Sequence, residues 1–199
     1  MKREDFFFKF FKGRKCVLDI GCGAGIFLEH LKQNGIEAEG VDLDPEFAKQ
    51  APSKGLVITC QDALEFLKNK PGHYDAVYMS HMAEHLDFKQ LSSLFAGVHK
   101  SLRAEGIFVV VTPDIKNLKD IADGFWADPT HVRPYPLPAL LKVFEANGFK
   151  VVEAAEKRRP YDRILWKLRD ALRRALVGDF WGKDEVYAVG EKKAGQRAE

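Results

Sequence analysis

Between Cys16 and Gly25 the chain reads Cys-Val-Leu-Asp-Ile-Gly-Cys-Gly-Ala-Gly, and no other stretch narrows the fold so far. Val17, Leu18 and Ile20 form an apolar run of buried-strand type. Glycines follow at alternate positions, and Ile26, Phe27, Leu28 and Leu31 then recur at helical spacing. The predicted unit is a strand, a tight glycine turn and a helix. Glycine has no Cβ and accepts positive φ, so backbone here can pass close beneath a ligand. The unpaired N–H groups and the positive dipole end at the helix start favour a negative group, a phosphate or a carboxylate.

Strand and helix signals alternate from there. The first helix stops near Asn34-Gly35, and Glu37 to Asp44 is a second strand, with Pro45 suited to the first turn of the next helix. Val57 to Cys60, Tyr74 to Met79 and Gly106 to Thr112 supply the third, fourth and fifth strands. A short helix starts at Ala63, and a longer one over Leu91 to Leu102 carries Leu91, Leu94, Phe95 and Val98 on one side. Leu137 to Asn147 reads as a helix stopped by Gly148, followed by strands over Phe149 to Glu156 and Glu185 to Glu191. This order predicts an α/β fold, a Rossmann-like doubly wound parallel sheet with helices on both faces.

The chain of 199 residues suits one such domain, over 1–193. An N-terminal helix is expected over 1–13, its Phe6, Phe7, Phe10 and Phe11 forming an aromatic face docked on the domain. A helical insertion is expected over 160–183, apolar at Ile164, Leu165, Leu168, Leu172 and Leu176 and otherwise mostly basic, with a disordered tail over 194–199. The hydrophobic share of 46% and charged share of 30% fit a soluble globular protein, and a net charge of +2 supplies no field toward nucleic acid. No apolar run reaches membrane-spanning length, and the acids Glu4 and Asp5 do not suit a signal peptide. Three cysteines without metal-type spacing fit free thiols in a cytoplasmic protein.

In an open parallel sheet the ligand sits beyond the carboxyl ends of the strands, where Asp19, Asp42 and Asp62 fall. Asp42 alone would suggest NAD, since an acid at about this distance from the glycines grips ribose hydroxyls. Yet the turn is Gly21-x-Gly23-x-Gly25, and a dinucleotide site calls for neither Asp19 nor Asp62-Ala63. These residues resemble the class I S-adenosylmethionine-dependent methyltransferases. Val17-Leu18-Asp19-Ile20-Gly21-Cys22-Gly23-Ala24-Gly25 looks like their first motif, Gly40-Val41-Asp42 their second-strand acid, Gln61-Asp62-Ala63 their adenine-side motif and Tyr74-Asp75-Ala76-Val77 their fourth strand. The resemblance runs from about Cys16 to Thr112 and implies a seven-stranded sheet with an antiparallel last strand. It implies S-adenosyl-L-methionine as cofactor, with Gly21 and Gly23 beside its methionyl part, Asp19 near its ammonium, Asp42 on the ribose and Asp62 with the Ala63 N–H at the adenine. Cys22, Gly25, Leu43 and Ser80 complete the implied cofactor-binding set.

The segment His81-Met82-Ala83-Glu84-His85 matches the H-x-x-E-H pattern of inverted zinc proteases, which needs both histidines on one helical face. The resembling methyltransferases carry a similar Glu-His pair after their fourth strand, so no metal is expected. A hydroxyl acceptor needs a base, and histidine suits that role near neutral pH. His131 and His81 are the candidates, with Asp128 to orient His131 and Arg133 to hold an anionic acceptor. The proline-rich run from Trp126 to Pro134 also looks like a motif of bacterial methyltransferases associated with surface polysaccharides. The expected acceptor is therefore a small molecule or glycan methylated on oxygen. Alternatives are a quinone- or polyketide-type acceptor and a non-catalytic S-adenosylmethionine-binding module. The basic 161–177 helix would suit peripheral contact with an anionic membrane or packing in a monomer or homodimer.

Overall fold

The computed structural model describes residues 3–116, 124–157, 172 and 184–193. Seven strands form one sheet: β1 (Cys16–Ile20), β2 (Glu37–Asp42), β3 (Ile58–Cys60), β4 (Tyr74–Ser80), β5 (Leu102–Pro113), β6 (Phe149–Lys157) and β7 (Glu185–Lys192). Their order is β3-β2-β1-β4-β5-β7-β6. β1 pairs in parallel with both β2 and β4, whereas β7 runs antiparallel between β5 and β6. The order reverses at β1 and β4, and a crevice opens there beyond the strand ends.

Helices α2 (Ile26–Gln33), α3 (Pro45–Gln50), α4 (Ala63–Leu67), α5 (Phe88–Ser101) and α6 (Leu137–Ala146) complete the frame, with a short α1 (Arg3–Phe8) before the sheet. Central strands are covered on both faces, which explains why β1 and β4 read as nearly unbroken apolar runs. Alternate residues serve two cores. Leu18, Val77, Met79 and Phe108 pack with Phe95 and Phe144 on one side; Val17, Tyr78 and Val109 meet Phe7, Phe11 and Phe27 on the other.

The N-terminal helix is shorter than expected. It ends at Phe8, and three-residue turns from Phe10 N to Phe7 O and Phe11 N to Phe8 O lead to Gly13 at φ 79. Docking is achieved all the same: Phe7 and Phe11 are buried, with edge contacts to Tyr187 and Tyr78. β5 begins at Leu102 rather than Gly106 because α5 passes directly into it. The insertion expected over 160–183 lies outside the described residues apart from Leu172, and the 194–199 tail lies wholly outside them.

Asp75 locks the start of β4 to its neighbours. Its Oδ2 accepts the Lys15 and Cys16 N–H groups, both at 3.0 Å, and its Oδ1 accepts from Arg103 at 2.7 Å. Burial alone would raise this carboxyl's pKa, but these donors outweigh it and hold the group below the usual carboxylate range. A depressed folded pKa gives stability that is present above the unfolded value and lost as pH falls through the folded one. Asp75→Asn is therefore expected to cost about 1–2 kcal/mol at pH 7 and to weaken the acid dependence below about pH 4. Urea melts across pH 3–7 check both.

Candidate cofactor and acceptor site

The turn after β1 is built as its composition requires. Gly21, Gly23 and Gly25 take φ values of 67, 51 and 77, a region that side-chain-bearing residues seldom enter. At Gly25 a Cβ would also stand 2.6 Å from Leu56 Cδ1. The Gly21 N–H donates to Val41 O at 2.9 Å, so the turn is laced to the tip of β2.

Asp42 completes that lacing, because its Oδ2 accepts the Gly23 N–H at 2.8 Å and its Oδ1 accepts the Asp44 N–H at 3.0 Å. A carboxylate has about four acceptor positions, so capacity remains for a diol. Asp19 is 3% exposed. Together with Gly21, Cys22, Gly23, Ser80 and His81 it lines a cavity of about 250 Å³. Burial, reinforced by the charges of Asp19 and Asp42, pushes the Cys22 thiol pKa far up, and the sulfur packs against the Gly40 backbone. Asp62 caps α4 by accepting the Glu65 N–H at 3.1 Å, with Ala63 buried as the first helical residue, while Leu43 stands 70% exposed. The ensemble fits a ligand with an ammonium, a carboxylate and a ribose. Asp19 offers charge for the first, the first turn of α2, which no side chain caps, offers N–H groups for the second, and Asp42 offers acceptors for the third. Glu4 of α1 also lines this cavity, and nothing in the sequence around it signalled that placement.

A second cavity, about 550 Å³, is lined by residues including His81, Glu84, His85, Phe125, Asp128 and His131. His81 lines both cavities, which therefore lie side by side at the end of β4. The proline-rich loop is pinned there by its backbone: Val132 N and Arg133 N donate to Glu84 O at 2.8 and 3.2 Å. The Tyr135 hydroxyl donates to Leu86 O at 2.9 Å.

His131 reaches the cavity as expected, but Asp128 does not orient it through Nδ1. That nitrogen lies 2.7 Å from Phe125 O, a pure acceptor, while Asp128 Oδ2 stands 3.8 Å from His131 Nε2. Asp128 is instead engaged by Thr130, whose N and Oγ1 both donate to Oδ1, and this holds the carboxyl pKa below its ordinary value. His81 does not fit the role of base. Its Nδ1 faces Glu84 Oε1 at 3.1 Å and its Nε2 faces Glu185 Oε1 at 3.0 Å, so both nitrogens are placed to donate to buried carboxylates. Nor does the H-x-x-E-H pattern form the helix its zinc reading needs, since Ala83–His85 is a single 3-10 turn and His81 sits at φ 52. Arg133 lies outside the set lining this cavity, and its guanidinium stacks 5.0 Å from the Tyr135 ring centre. The residue that sequence reasoning missed is His85, whose ring centre lies 4.6 Å from that of His131. Its only signal was the Glu-His pair, which could not show that the loop folds back onto it.

Residues 2–154 match the profile of a family described as a methyltransferase domain. An Archaeoglobus fulgidus SAM-dependent methyltransferase superposes with a TM-score of 0.79 at 28% identity, covering 96% of this chain and 91% of its own. A Burkholderia thailandensis 1,6-didemethyltoxoflavin-N1-methyltransferase, solved with that compound and S-adenosylhomocysteine, shares the fold at a TM-score of 0.68 and 17% identity, over 96% of this chain and 76% of its own. An uncharacterized methyltransferase of Synechocystis is 33% identical over 96 residues, and a ubiquinone biosynthesis O-methyltransferase of Xylella fastidiosa is 37% identical over 76. These two matches take in 48% and 35% of this chain but only 45% and 31% of the relatives' own lengths.

Proposed function

The chain belongs to the methyltransferase-domain family; from that premise we propose that it is an S-adenosylmethionine-dependent enzyme that methylates an oxygen of a small-molecule or glycan-type acceptor lodged beside His85 and His131. The cofactor supplies an activated methyl group on a positive sulfur. What the protein must add is placement of the acceptor, exclusion of water and activation of the acceptor hydroxyl. Asp19, Asp42, Asp62 and the glycine turn are assigned to holding the cofactor, with Gly25, Leu43, Ala63 and Ser80 along its edge.

The observation that carries the reading is a pair of imidazoles, His85 and His131, whose Nε2 atoms make no hydrogen bond among the described residues, the nearest acid to His131 Nε2 being Asp128 at 3.8 Å, in a cavity that shares the His81 wall with the cofactor cavity. Such a pair has a use with a hydroxyl, which must lose its proton, and less with an amine already nucleophilic when neutral. Similarity to a ubiquinone biosynthesis O-methyltransferase also supports oxygen and favours a quinone- or polyketide-type phenol as the second reading. No helix among the described residues is long and apolar enough to cross a membrane, and the three cysteines are free, in keeping with a cytoplasmic setting.

The test is incubation with methyl-labelled cofactor and a panel of phenols, sugars and glycan extracts, with products located by mass spectrometry. Label on an acceptor oxygen is expected. Label on nitrogen or carbon alone, or tight cofactor binding with no transfer to any member, would overturn the assignment, the latter in favour of a non-catalytic binding module.

A further inference from the structure

We propose that Glu84, His85 and His131 form a binding site for a divalent transition-metal ion of the zinc or manganese class, in the larger cavity. This departs from the metal-free site expected from sequence. One ligand atom from each residue lies within 4.8 Å of the others. The hydrogen bonds decide which imidazole atoms are presented. Phe125 O can only accept, so at 2.7 Å the His131 Nδ1 carries the hydrogen and its Nε2 keeps a lone pair. The Thr130 hydroxyl has one hydrogen, directed 2.6 Å to Asp128 Oδ1, so toward His85 Nδ1 at 2.9 Å it must accept. His85 Nε2 is thereby left with its lone pair as well.

Two imidazoles anchored at Nδ1 on oxygen acceptors, with no hydrogen bond at Nε2 among the described residues and Asp128 Oδ2 3.8 Å from that of His131, match the way protein matrices hold metal-binding histidines. The outer hydrogen bond fixes the tautomer and the ring direction. Glu84 adds a carboxylate that is 1% exposed, its Oε2 accepting from Thr112 Oγ1 at 3.1 Å. Two nitrogens and one oxygen suit zinc, manganese or ferrous iron better than magnesium or calcium, and three protein ligands leave positions open toward the cavity. With bonds near 2.1 Å a tetrahedral shell has edges of about 3.4 Å. The longest edge of the trio therefore has to close by up to about 1.4 Å, within reach of side-chain rotations.

The role of the ion rests on the oxygen-acceptor reading, although its binding does not. A hydroxyl coordinated at an open position becomes more acidic and releases its proton to solvent. The oxygen then bonds to the methyl carbon as the carbon–sulfur bond breaks, its electron pair remaining on sulfur.

Tag-free protein stripped with chelator and titrated with cobalt(II) alone is expected to develop visible d–d bands at one equivalent, which zinc(II) displaces. His85→Ala and His131→Ala are each expected to weaken cobalt binding at least 10-fold, whereas His73→Ala at an exposed position leaves it unchanged. Nitrogen NMR of the wild type with zinc reads ligation at Nε2 without any variant, so a misfolded substitution does not decide the question. Absent bands, or binding equally strong in both alanine variants, would overturn the site. Bands with no methylation of any hydroxyl would instead sink the oxygen-acceptor reading, and chelator-insensitive methylation without bands would sink the site alone.

Discussion

Replacing Asp42 with alanine is expected to weaken binding of S-adenosylhomocysteine by about 100- to 1,000-fold. A carboxylate accepting from two ribose hydroxyls forms charge-assisted hydrogen bonds of roughly 1.5–3 kcal/mol each. Their joint loss, partly relieved by water, is about 3–4 kcal/mol, which sets that range. The substitution also strips the Gly23 and Asp44 N–H groups of their acceptor at the tip of β2, so part of the loss comes from a loosened glycine turn. Asp42→Asn separates the contributions, because it keeps one carbonyl oxygen and should fall between wild type and alanine. Calorimetry with S-adenosylhomocysteine, alongside thermal melts of the unliganded variants, makes the measurement. Affinity in Asp42→Ala within threefold of wild type would mean that this residue does not hold the ribose.

His131→Ala is expected to act on the other half of the reaction. It should lower kcat by about 100- to 10,000-fold, the usual span for losing a group that manages a proton in the transition state, while the affinity for S-adenosylhomocysteine stays within twofold. The asymmetry follows from placement: His131 lines the larger cavity and not the one formed by Asp19 and the glycine turn. A purely structural His131, tying the loop through Phe125 O, would instead lower the melting temperature and leave the turnover of the folded fraction intact. The decisive comparison is turnover per folded molecule, with Arg133→Ala as companion. Because Arg133 stacks on Tyr135 outside the cavity lining, that change is expected to cost little in kcat.

The strand, glycine turn and helix assigned to the cofactor were legible in the sequence because their signals are local. A strand, a turn that demands positive φ and a helix start all fall between Cys16 and Leu31, and the acids sit at or beside strand ends, Asp19 within β1, Asp42 closing β2 and Asp62 just past β3. Periodicity likewise placed the strands and helices to within a few residues, since a sheet covered on both faces imposes a nearly continuous apolar signal on its central strands β1 and β4. The acceptor half could not be read this way. Glu84 and His85 leave β4 some 45 residues before His131, and only the docking of the proline-rich loop, through Val132 and Arg133 N–H groups on Glu84 O, brings them together.

The same limit shows in side-chain roles. His81 and His131 looked alike as sequence, two histidines in segments beyond strand ends, yet one is clamped between Glu84 and Glu185 and the other lines a cavity with its Nδ1 on Phe125 O. Gly190 passes for an ordinary strand residue, although a Cβ there would stand 2.4 Å from Phe144 Cδ1 across the packed face of β7. Sequence by itself determined the chain's class, its sheet and the glycine turn beneath the strand ends, because those depend on neighbours within a turn or one strand. Tertiary structure alone decided which histidine is held between two carboxylates and which lines the larger cavity, because hydrogen-bond partners that lie tens of residues apart leave no periodic trace along the chain.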